Sequence, residues 1–224
     1  MGGVRGGSFQ GFCPTLLTCS LLFIRLKSVI NYHNAQNNPM LFPNLPTERL
    51  LLRPLNIQDA PEVMTLRSDA RVNEFIDRPQ AINLEEARQF IEKIEAGFTR
   101  KEWLYWAITL QGNDILIGTI CLWNFSADGA RAEVGYELNP AFQRQGFMQE
   151  ALSEVLRYGF SGLKLKIIFA LLREDNIRSV QLLKRNGFQL DAGFEYMPEA
   201  ATVGLTVYFL ASYGACCALQ RTLP

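Results

Sequence analysis

At 224 residues the chain has room for one well-filled core and a short appendage, so a single domain is expected. Its 22 Lys and Arg balance 22 Asp and Glu, which removes any bulk-charge argument for a nucleic-acid or strongly anionic partner. The five cysteines form no CxxC pair and His33 is the one histidine, which argues against a metal site or a His-based triad and fits a reducing cytoplasm.

Residues 1–39 read differently from the rest. Their apolar run, residues 16–24, is interrupted by Thr18, Cys19 and Ser20 and is too short to span a bilayer as a helix. Its basic residues, Arg25 and Lys27, follow the run, the reverse of a secretory signal. The expectation is a loosely ordered extension with Met40 as a sensible start, a domain over 40–210, and a tail over 211–224 without periodicity.

From Met40 the elements follow in order. Residues 48–55 (ERLLLRPL) read as a strand ending at Pro54, and Asn56, Asp59 and Pro61 open a short helix to Ser68. Asn83-Leu84-Glu85-Glu86 places a capping residue three before a glutamate, and Leu84, Ala87, Ile91, Ile94 and Phe98 then recur at helical spacing. Residues 103–110 (WLYWAITL) and 115–123 (ILIGTICLW) are aromatic and β-branched runs, expected to form a hairpin turning at 112–114. In 132–138 Ala132, Val134, Tyr136 and Leu138 alternate with Glu133, Gly135 and Glu137, a third strand of the meander. A helix follows Gly146, with Met148, Leu152, Val155, Leu156 and Phe160 inward, and stops near Gly162. Residues 166–172 (KIIFALL) read as a buried strand, and Asn176 caps a helix that Asn186-Gly187 ends. Two closing strands are expected at 188–196 and 203–210. The order β-α-α-β-β-β-α-β-α-β-β implies an α/β (α+β) domain with a mixed sheet, helices on both faces and a crossover through the Gly146 helix.

The chemistry concentrates in residues 132–151. A strand breaks at Asn139-Pro140, and Gln143-Arg144-Gln145-Gly146-Phe147-Met148 leads into a helix, so the glycine lies where unpaired N–H groups can meet an anion. The residues alone leave a second reading open, in which Gly146 is a tight-turn glycine and Arg144 a surface charge. Gln143 to Met148 fits the acyl-CoA signature Gln/Arg-x-x-Gly-x-Gly/Ala except at Met148. With residues 132–138 and the later Asn176-Ile177-Arg178-Ser179 and Lys184-Arg185-Asn186-Gly187-Phe188, residues 47–210 resemble the GCN5-related N-acetyltransferase (GNAT) superfamily, in its ribosomal-protein alanine acetyltransferase (RimJ/RimL-type) branch.

The resemblance implies the GNAT fold, with a splayed central strand pair, and acetyl-CoA as co-substrate. Its pyrophosphate would meet the N–H groups of Gln145, Gly146, Phe147 and Met148 after Gln143, with Arg144 adding a positive field. The main chain of Tyr136 to Asn139 would pair with the pantetheine arm, an N–H near Leu138 would stabilise the oxyanion of a tetrahedral intermediate, and Asn176 would hold the arm. Glu133 is the candidate base, working through water, against the reading that Arg131, Glu133, Gly135 and Glu137 form a solvated or helix-capped face. Many relatives carry a tyrosine acid seven residues after the asparagine of the second motif; Leu183 stands there, which excludes it. The resemblance to the ribosomal-protein branch implies that Ser179, three residues after Asn176, lies near the thiolate, against the reading of a helix-surface serine. Tyr136 and Tyr196 read as core or rim residues, and Cys121 as a buried thiol.

The expected activity is acetyl transfer to a primary amine, on a protein N-terminus or a small molecule. The acceptor would lie between residues 56–98 and 197–203, where Glu74, Asp77 and Glu199 could attract an amine. A non-catalytic acyl-CoA-binding module of the same fold stands as the alternative, and an unrelated nucleotide-binding α/β protein is disfavoured because the meander precedes the glycine turn. No membrane span, no metal and no direct nucleic-acid partner are expected, and monomer and homodimer are both open.

Overall fold

The computed structural model describes residues 42–76, 78, 83–193 and 204–212. Within them the strands are β1 (Leu45–Pro46), β2 (Leu50–Pro54), β3 (Leu104–Leu110), β4 (Asn113–Trp123), β5 (Arg131–Leu138), β6 (Ile167–Leu172), β7 (Gln189–Leu190) and β8 (Thr206–Ala211). They form one sheet in the order β1-β2-β3-β4-β5-β6-β8-β7, antiparallel except where β5 meets β6. The helices are α1 (Ala60–Ser68), α2 (Ala70–Asn73), α3 (Leu84–Thr99), α4 (Phe147–Ser161) and α5 (Ile177–Arg185).

Strand alternation divides the interior into two main cores, with a small third cluster at Phe169 and Val207. Trp106 and Ile108 of β3 turn to the face where α4 packs Ala151, Leu152 and Val155 and α5 packs Leu183. Ala107 turns to the opposite face, against Val63 and Leu66 of α1 and Ala87 and Ile91 of α3. Each fully buried aliphatic or aromatic side chain contributes about 1.5–3 kcal/mol, so these two layers fix the sheet between its helices. Trp106 has no exposed surface, and its indole N–H is satisfied by the Pro43 carbonyl at 2.9 Å.

Helix ends follow local chemistry. The Asn83 side chain accepts the Glu86 N–H at 2.9 Å to start α3. Late in α3, Gly97 is the seat of Trp103: a Cβ there would lie 2.1 Å from the indole ring, whose N–H donates to the Ile94 carbonyl at 2.8 Å. The helix tolerates a glycine, a poor helix former, because only a missing side chain lets that ring in.

Several boundaries differ from the sequence reading. Leu110 pairs with Asn113, so the hairpin turns at Gln111-Gly112 and β4 begins two residues earlier than expected. Gly112, at φ +76°, supplies the left-handed residue that closes the turn, and the strand register shifts just before it, between Thr109 and Leu110. β1 and α2 were not anticipated: β1 is two residues long and includes a proline, and α2 is a single turn capped by Asp69, too short for periodicity to register. β7 covers only Gln189–Leu190, and β8 begins at Thr206. The extension at 1–39, Met40, Tyr196, the 197–203 loop and the tail from 213 lie outside the described residues, as do Asp77 and Glu199. Among the described residues no helix is long and apolar enough to cross a membrane.

Candidate active site

The central strand pair opens partway along its length. β5 and β6 are paired at Arg131↔Ile167, Ala132↔Ile168 and Glu133↔Phe169 and no further. Beyond that point β6 stays with β8 as far as Leu172, while β5 stays with β4 as far as Leu138. The Asn139 N–H donates to the Ile117 carbonyl at 2.9 Å. Alternation along an antiparallel ladder then gives Glu133, Gly135 and Glu137 to β4, and turns the main-chain groups of Val134, Tyr136 and Leu138 into the opening. The Leu138 carbonyl is engaged by the Gln143 side-chain amide at 3.1 Å.

One wall of the opening is the start of α5. Asn176 caps that helix by accepting the Ser179 N–H at 3.2 Å, so the group it can offer outward is its amide nitrogen. Arg178 Nη1, one residue before Ser179, donates to Gln143 Oε1 at 3.4 Å, so the start of α5 reaches the turn that leads into α4. Burial pushes the Tyr136 phenol up to about 12, with Ser179 acting the other way, so Tyr136 keeps its proton at any physiological pH. Leu183 is fully buried and takes no part.

The turn into α4 closes one end. Asn139 caps the single 3-10 turn Pro140–Phe142 through the Ala141 N–H at 3.0 Å, and the Gln145 side chain donates to the Ala141 carbonyl at 3.0 Å. Arg144 at φ +63° and Gly146 at φ +81° then reverse the chain and deliver the first N–H groups of α4 to the surface. Met148, the departure from the family signature, sends its side chain into the core, where 8% remains exposed, and only its backbone faces the turn. Three residues that sequence reasoning missed brace this turn. The Glu150 carboxylate accepts Thr47 Oγ1 at 2.6 Å, the Arg49 N–H at 2.8 Å and Arg49 Nε at 2.6 Å. Arg49 Nη1 donates to the Gln145 carbonyl at 3.0 Å, and its guanidinium lies 4.6 Å over the Phe147 ring.

The face of β5 turned toward α1 and α3 is buried, not solvated. Glu133 is 6% and Glu137 7% exposed, the first beside the Asn124 amide and the second paired with the Arg78 guanidinium. Burial pushes the Glu133 carboxyl up to about 8, opposed by the Asn124 amide that donates to it at 3.2 Å. Glu137 is held differently, by Arg78 and by Thr119 Oγ1 at 3.1 Å, which in turn meets the Tyr105 hydroxyl at 3.1 Å. Between the two carboxyls Gly135 leaves a notch: a Cβ there would stand 3.2 Å from Cys121 Sγ and 3.7 Å from Trp123 Nε1. Burial and the Glu133 carboxylate raise the Cys121 thiol, so it is a poor nucleophile, as its apolar strand implied.

The sequence and the fold have counterparts in known proteins. A family profile described as the acetyltransferase (GNAT) domain matches residues 49–189. The N-acetyltransferase YoaA of Bacillus subtilis is 35% identical over 163 residues, covering 72% of this chain and 92% of that protein. A solved GNAT acetyltransferase from Bacillus anthracis superposes with a TM-score of 0.62 at 25% identity, over 75% of this chain and 96% of that one. The ribosomal L7/L12 α-N-protein acetyltransferase RimL, solved in complex with coenzyme A, shares the fold at a TM-score of 0.64 and 23% identity, over 75% of this chain and 98% of its own. With the profile spanning most of the domain and YoaA matching nearly end to end, the chain belongs to the GNAT family and is an N-acetyltransferase.

Proposed function

We propose that the protein transfers acetyl from acetyl-CoA to a primary amine by direct attack, without an acyl-enzyme. The observation that carries this reading is the opening between β5 and β6, bounded by the Gly146 turn, by Glu133 and by the Asn176 cap of α5. The donor supplies the activated acetyl group; everything else is done by the chain. The N–H groups from Gln145 to Met148 meet the pyrophosphate with the α4 dipole behind them. The inward main-chain groups of Val134, Tyr136 and Leu138 offer the pantetheine arm a strand edge, and the Leu138 N–H faces the oxygen on which charge develops.

Glu133 sits where the two strands part and is poised near 8, so a small rise in pH creates the carboxylate that takes a proton from the attacking amine through water. Ser179, in the first turn of α5, returns a proton to the departing thiolate. An α-amine, at about 7.7–8.0 in water, suits a base of this strength better than a lysine at about 10.4. Release of free thiol from acetyl-CoA, with mass detection of the acetylated product across α-amines, polyamines and peptide N-termini, tests the proposal. Tight binding with no turnover on any amine would favour an acyl-CoA-binding module instead.

A further inference from the structure

We infer that Arg49 is a positioning residue for the pyrophosphate turn: its guanidinium fixes the orientation of the Gln145–Gly146 peptide so that an N–H, not a carbonyl oxygen, faces the incoming anion. The inference rests on the acetyl-CoA reading above. No cis peptide occurs among the described residues, so the Gln145 carbonyl and the Gly146 N–H point in opposite directions. Arg49 Nη1 holds that carbonyl at 3.0 Å, on the β2 side, and thereby turns the Gly146 N–H away from β2. A peptide that precedes glycine rotates at little cost, because glycine accepts both signs of φ. Rotation would replace a donor by a carbonyl dipole repelling phosphate, so the turn needs an external anchor.

Arg49 is itself well anchored. It immediately precedes β2, whose Leu50 and Leu52 have no exposed surface, so its backbone is set by the core. Glu150 fixes the head of the side chain through Nε at 2.6 Å, and Phe147 lies 4.6 Å beneath the guanidinium. The same contacts compensate the Glu150 carboxylate, which would otherwise place an unpaired negative charge in the first turn of α4, beside the anion. Nη2 lies 3.3 Å from where a Cβ on Gly146 would stand, so the guanidinium closes one side of the glycine and leaves the other for the ligand. The side chain remains 44% exposed, within reach of an anion approaching from solvent.

The test compares Arg49→Ala and Arg49→Lys with the wild-type chain in calorimetric titration with acetyl-CoA and in steady-state turnover with acetyl-CoA or with S-acetyl-pantetheine, which lacks the pyrophosphate. Loss of one charged hydrogen bond's orientation predicts a Kd and KM for acetyl-CoA raised about tenfold in Arg49→Ala, with kcat within about twofold. Lysine keeps the charge but cannot hold Gln145 and Glu150 together, so Arg49→Lys should show a rise of at least about threefold. Turnover of S-acetyl-pantetheine should be the same in all three. Equal acetyl-CoA affinity in a folded variant, or an equal loss with both donors, overturns the inference; if Arg49→Ala does not fold, Arg49→Lys is read by the same criteria. Failure of the wild-type chain to bind acetyl-CoA would instead remove the reading on which it rests.

Discussion

Replacing Glu133 by glutamine should change how stability depends on pH, and by an amount that the burial of this carboxyl sets. Its folded value of about 8 lies above its ordinary 4.5, so between those values the folded chain holds a proton that the unfolded chain has released. Stability is then present in full below the unfolded value and falls as pH rises, at up to about 1.4 kcal/mol per pH unit, until the folded value is passed. Across the window this is roughly 5 kcal/mol, a large part of the 5–15 kcal/mol of a typical domain. Glutamine keeps the shape and an oxygen for Asn124 but cannot ionise. Urea denaturation of both proteins at pH 5, 7 and 9 should show their stabilities diverging as pH rises, with the variant the more stable at pH 9. The same substitution should abolish the rising limb of kcat/KM near pH 8 and lower kcat, with little change in the Kd for acetyl-CoA. Parallel stability profiles would refute the claim that Glu133 is held neutral by burial, and an unchanged rate at saturating amine would retire it as the base.

Gly146→Val should raise the Kd for acetyl-CoA at least about tenfold in calorimetry. Its cost to folding should be about 1–2 kcal/mol, since a side chain at φ +81° is strained and meets Arg49; equal affinity would remove the turn from the site. Gly97→Ala should destabilise by about 1–3 kcal/mol in thermal unfolding, because its Cβ would stand 2.1 Å from the Trp103 ring, and an unchanged Tm would show that the ring can move. Arg78→Ala should cost roughly 3 kcal/mol in urea, since it strands the Glu137 carboxylate at 7% exposure with Thr119 as a neutral partner. Stability equal to wild type would mean that water reaches Glu137 freely.

Much of the fold is legible in local chemistry. The Asn83 cap and the spacing of Ala87, Ile91 and Ile94 specify α3 without help from the rest of the chain, and Asn176 and Gly187 bracket α5 in the same way. The alternation in residues 132–138 separates one strand face from the other, but alternation cannot say what covers each face. The sequence left the face of Glu133 and Glu137 open between solvated and helix-capped; both side chains are buried, Glu133 beside Asn124 and Glu137 against Arg78, and no spacing rule reports that. The hairpin turn was displaced for a related reason, since strand ends are set by the register of the partner strand, not by local propensity.

The Gln143-to-Met148 turn, with Asn176 and its helix downstream, was determined by sequence alone, because glycine conformation, helix capping and family signature all act over a few residues. Three things were decided only in the tertiary structure. They are the parting of β5 from β6 after Glu133↔Phe169, the Arg78–Glu137 pair on the buried face of β5, and the reach of Arg49 to a turn 96 residues further along the chain. Each depends on which segments lie side by side, and the two cores packed against the sheet impose that arrangement from residues distant in sequence.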